Sequence, residues 1–217
     1  MNRRSNRLRR AMMFGAITLA ILPAFGCVGI GAQLLYVLKG HKVPREFDGL
    51  EDHRVAVLVI SDGQSYGPDY SMQVLTQLMH RHLQLEYKKH IELVPQDDVY
   101  GAFDDRSRDP DYVAVGKSLQ ADKVVVVEVT DYSLREGATL YQGNCYFKCA
   151  VYDVEEGRLE FSRGPNSFSY PTDGQPSIDT SERDFEQMFL TELSYRIAGF
   201  FCEHEIKELY SRDAMAL

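Results

Sequence analysis

Several chemical signatures are missing from this 217-residue chain, and each absence removes a class of function. There is no P-loop, no G-x-G-x-x-G behind the first strand and no H-E-x-x-H, whereas Gly63-Gln-Ser65-Tyr-Gly67 does have the G-x-S-x-G spacing. The common nucleotide-binding and zinc-protease patterns are therefore missing. Basic residues are scarce where nucleic acid would need them. Residues 1–26 hold five of the 24 Lys and Arg and none of the 32 Asp and Glu, so the remainder carries 19 against 32, a balance of −13. Clustered cations are what displace counterions from a phosphate backbone, so this balance argues against nucleic acid as a partner. It argues equally against electrostatic adhesion to anionic lipid heads. Four cysteines are too few for a disulfide scaffold. No internal repeat or low-complexity tract is evident.

Long apolar runs are also lacking, with one informative exception. Ala11 to Leu22 carries no charge and follows Arg3, Arg4, Arg7, Arg9 and Arg10. As a helix it would span ~18 Å, short of a ~30 Å hydrocarbon core. A basic head followed by a short apolar run is signal-peptide grammar. Pro23 stops the helix, and Ala24-Phe25-Gly26-Cys27 follows. A Cys behind a small residue at this place resembles the lipobox of bacterial lipoproteins, and that resemblance implies acylation at Cys27. Two other readings stand beside it. Ordinary cleavage would release a soluble secreted protein. Alternatively, Ala11 to Leu38 would reach ~42 Å as one helix and span the membrane uncleaved as a single-pass anchor, with its Arg-rich head inside. All three place the rest of the chain outside the cytoplasm. The expected organisation is a signal peptide at 1–26, a lipidated Cys and connector at 27–53, an α/β domain at 54–210 and a tail at 211–217.

Acylation of Cys27 leaves Cys145, Cys149 and Cys202, an odd number. At most one internal bridge is then expected, Cys202 with Cys145 or Cys149. Together with His204 these residues could suggest zinc. However, residues four apart on a strand lie ~13 Å from each other, too far to share one ion. Asp105, Ser107, Asp109 and Asp111 have the spacing of a calcium loop, but Pro110 stands where Gly is needed and Gly116 where a bidentate Glu is needed. Those acids, with Asp97, Asp98 and Asp104, read as helix caps and solvated loop. His80, His82 and His90 read as surface residues. No metal, cofactor or catalytic residue is expected.

Along the chain, Arg54–Ile60 is apolar and β-branched, a strand buried on both faces. Met72, Leu75, Leu78, Met79 and Leu83 recur at helical spacing, giving an amphipathic helix over about 69–86. Ile91–Val94 is a second strand. A short helical piece holds Val99 and Phe103. Asp109-Pro110 marks a helix start, and that helix runs to about Leu119. Lys123–Val129 is the most strand-like segment. Strands near 138–154 and 158–170 complete a meander, with Cys145, Phe147, Cys149 and Val151 on one face. Pro165, Pro171, Gly174 and Pro176 mark 164–179 as loop, overlapping the end of that last strand. Ser181 and Asp184 resemble a capping box ahead of a helix with Phe185, Met188, Phe189, Leu193 and Ile197 on one face. The order β-α-β-α-β-β-β-α, with crossovers of one hand, predicts one mixed five-stranded sheet with helices packed on it.

Val55-Ala-Val-Leu58, Glu92-Leu-Val-Pro-Gln-Asp-Asp-Val99, Val115 to Val126 and Val151-Tyr-Asp-Val-Glu-Glu-Gly-Arg158 together resemble the amino-terminal domain of TolB. They are also similar to the periplasmic domains of the curli-secretion lipoprotein and of lipoprotein activators of penicillin-binding proteins. The likeness covers roughly 54–163. It implies an anticodon-binding-like α/β fold, no catalysis, and association with envelope proteins or with itself. The expected protein is a bacterial envelope lipoprotein, anchored to the inner or outer membrane through Cys27, its domain in the periplasm. Two other functions remain open: an anchored hydrolase using Ser61 or Ser65, and an auxiliary lipoprotein of an envelope transporter.

Overall fold

Val55, Val57 and Val59 are fully buried, as are Ala56 and Leu58 between them. Side chains alternate across a strand, so this segment has a dry layer on each side. It is β2 (His53–Ser61), the centre of the fold in this computed structural model. The structure describes residues 42–62, 70–103, 110–137, 140–172 and 180–205. The chain divides into two units, 1–42 and 43–217, and the second holds the sheet.

The remaining elements are β1 (Lys42–Val43), α1 (Tyr70–Tyr87), β3 (Ile91–Leu93), α2 (Gln96–Ala102), α3 (Tyr112–Ser118), β4 (Lys123–Glu136), β5 (Leu140–Asp153), β6 (Arg158–Tyr170), α4 (Glu182–Ala198) and β7 (His204–Glu205). The sheet order is β3-β2-β4-β5-β6, and the two-residue strands β1 and β7 pair separately. β2 runs parallel to β3 and β4, with Val57 opposite Val125. β4, β5 and β6 are antiparallel, with Val127 opposite Cys149 and Cys145 opposite Phe168. The single mixed five-stranded sheet read from the sequence is therefore the fold, with four helices packed on it.

The two faces have separate cores. On one, Val55, Val57, Val125, Val127, Phe147 and Val151 meet α1 through Leu75, Met79 and Leu83 and α4 through Phe185, Phe189 and Leu193. On the other, Ala56, Leu58, Val124 and Val126 meet Val99 of α2 and Tyr112 of α3. Each large side chain removed from water contributes roughly 1.5–3 kcal/mol, so the α1–α4 face dominates. Gly143 of β5 lies directly under Phe189, where any Cβ would overlap the ring. Its lack of a side chain lets α4 settle on the sheet.

Several boundaries differ from the sequence reading. β4 runs on to Glu136 rather than ending near Val129. β6 continues through Gly164-Pro165 to Tyr170, so the first part of the expected loop is strand. The strand tolerates Pro165 because it is an edge, where a missing N–H breaks no ladder bond on the open side. The cap of α3 is Asp111, whose Oδ1 accepts from Ala114 N at 2.9 Å, and not Asp109, which lies outside the described residues. Ser181 does cap α4: its Oγ accepts from Asp184 N at 3.2 Å. Met188, placed on the apolar face of that helix, is 40% exposed, and Leu190 is buried instead. Residues 43–53, read as connector, belong to the second unit, and Leu50 is fully buried. Among the described residues no helix is long and apolar enough to cross a membrane.

Candidate functional site

In an open α/β sheet, ligands favour the crevice at the carboxyl ends of strands where the chain reverses its winding. Here β2 leads into α1 on one face and β3 into α2 on the other, which makes their shared end such a place. Tyr100 of α2 reaches it. Its hydroxyl donates to Val59 O at 2.8 Å and lies 2.9 Å from Thr76 Oγ1, and Thr76 donates to Met72 O at 2.8 Å. The crevice is thus used to tie β2, α1 and α2 together. Ser61 stands at the end of β2, and Ser65 lies outside the described residues.

The three thiols are free. Cys145 and Cys149 point from β5 into the α1–α4 core, as the strand alternation predicts, and Cys202 Sγ reaches His82 O at 3.8 Å. The bridge of Cys202 to Cys145 or Cys149 is not formed in this structure. Burial pushes each of the three thiols up to about 12, the opposite of an activated nucleophile. Cys27 lies outside the described residues.

The histidines are less exposed than the sequence suggested. His82 Nε2 lies 3.0 Å from Ser194 Oγ, and its ring meets Tyr195 at 4.3 Å between centroids. His80 has a buried Nε2 without a hydrogen-bond partner, and burial lowers its pKa. Of His80, His82 and His90, only His90, 2.9 Å from Asp52 Oδ1, is an exposed partner of a carboxylate among the described residues. Lys123 is a buried cation that sequence reading took simply as the start of a strand. Its Nζ donates to Asp153 Oδ2 at 2.6 Å and Glu160 Oε2 at 2.7 Å.

Among the described residues, a cleft of about 470 Å³ lies between α2 and the turn from α3 into β4. Arg54, Val94, Asp97, Asp98, Gly101 and Gln120 are among its lining residues. Arg54 starts β2. Its main-chain N–H donates to Asp122 Oδ2 at 2.7 Å, and its Nη1 is paired with Glu92. Its Nε is buried with no acceptor. Asp97 and Asp98 sit in the first turn of α2, whose cap, Pro95, makes no side-chain bond. Gln120 closes α3. Ala121 N donates to Gly116 O at 2.9 Å and Gln120 N to Lys117 O at 3.2 Å. This is the paired geometry that ends helices on a left-handed residue, and Gln120 has φ of 54°. The sequence reading treated Asp97 and Asp98 as caps and did not single out Arg54 or Gly101. The available signal was Asp97-Asp98 followed within one helical turn by a glycine.

No protein-family model matches the chain. No curated protein matches it either. Among solved structures it is similar to the PelC dodecamer from Paraburkholderia phytofirmans, at 9% identity over 75% of this chain and 96% of that one, with a TM-score of 0.42. It is also similar to lipoprotein GNA1162 from Neisseria meningitidis, at 12% identity, 67% and 97% coverage and a TM-score of 0.40. A third is the LpoB C-terminal domain from Salmonella enterica, at 12% identity, 56% and 85% coverage and a TM-score of 0.34. Bacterial lipoproteins are thus among the structures this chain is similar to, and no residue role is carried over from them.

Proposed function

We propose that this protein is a bacterial envelope lipoprotein, acylated at Cys27, whose α/β domain is a non-catalytic protein-binding or assembly module in the periplasm. The carrying observation is the leader: five arginines, the uncharged run Ala11–Leu22, then Ala24-Phe25-Gly26-Cys27. A basic head and short apolar run are the grammar of export, and a thiol at that junction is the acceptor for a lipid. Two features of the domain support the module. The Tyr100 hydroxyl donates to Val59 O at the strand end where a small substrate would sit in this kind of sheet. Among the described residues there is also a polar cleft flanked by carboxylates.

Metabolic labelling with palmitate tests the anchor. Incorporation is expected in the wild type and lost in Cys27→Ser; equal labelling of both, or of neither, overturns it. Crosslinking in cells, followed by mass spectrometry that also reads the mature amino terminus, tests the module. A strictly uncrosslinked protein overturns that part.

A further inference from the structure

We draw no further inference here: the strongest candidate, the outer edge of β6 (Arg158–Tyr170), beyond which no further strand pairs among the described residues, carries nothing, because Pro165 interrupts it and nothing in the structure shows what covers it.

Discussion

Lys123 Nζ lies 2.6 Å from Asp153 Oδ2, in a position where the lysine side chain is only 6% exposed. Glu160 Oε2 is 2.7 Å from the same nitrogen. Burial alone would lower the lysine's pKa, but the hydrogen bonds and charges of Asp153 and Glu160 outweigh it and the net shift is upward. The hydrogen bond from Lys123 is the main reason that Asp153 is held below its ordinary range. Removing the cation leaves two partly buried carboxylates facing each other. Lys123→Met should therefore destabilise the fold by about 3 kcal/mol at neutral pH, measured by urea denaturation. The pH dependence carries the sign. The contribution of Asp153 is full above its unfolded pKa and is lost as pH falls through the lower, folded one. The contribution of Lys123 is full below its unfolded pKa and is lost only as pH rises through the higher, folded one. The wild type should thus weaken on the acid side, while Lys123→Met, with carboxylates that gain from protonation, should recover part of its deficit there.

Tyr100 makes a different kind of link. Its hydroxyl joins Val59 O and Thr76 Oγ1 across three elements. Tyr100→Phe keeps the ring and removes the donor to Val59 O. The expected loss is about 1–2 kcal/mol, the cost of an unsatisfied buried acceptor less what the intact ring retains. Circular dichroism should remain native, and the urea midpoint should fall without a change in slope. A drop in slope as well would mean that Tyr100 holds α2 in place, not only its hydrogen bonds.

The sheet was legible because β2 and β4 are β-branched runs with two buried faces, and because Gly157 and its neighbours punctuate the β5–β6 hairpin. The helices were legible from their spacing. The path of β6 through Pro165 was not, because proline reads as a breaker until the strand is known to be an edge. The cleft was less legible still. Arg54 and Gln120 are 66 positions apart, and only the parallel pairing of β2 with β4 brings their ends together. Leu190 and Met188 exchanged roles for a related reason: periodicity gives the stripe of a helix, and packing on Phe168 and Tyr132 decides its centre.

Gln120 offers a gain. Helices closed in this way favour glycine at the left-handed residue, since a Cβ is strained at φ of 54°. Gln120→Gly keeps the hydrogen bonds of Ala121 and of residue 120 to the last turn, because both are made by the main chain. It should stabilise the domain by about 0.5–1 kcal/mol, the relieved strain exceeding the added chain entropy. A thermal melt a few degrees higher is the expected readout, and a lower one would show that the Gln120 side chain contributes more than its backbone costs.

The thiols give the last prediction. Cys145, Cys149 and Cys202 are free, and burial pushes each to about 12. Only the thiolate reacts with a disulfide reagent or iodoacetamide, so at neutral pH the folded protein should label at these sites far more slowly than a free cysteine. Labelling should follow opening of the α1–α4 core and not the chemistry of the sulfur. Cys202, only partly buried and bonded through Sγ to His82 O, should open first. In denaturant without reductant, Cys27→Ser protein should release three titratable thiols. A count of one would mean that Cys202 pairs with Cys145 or Cys149 after export, and mass mapping of the linked peptides would say which.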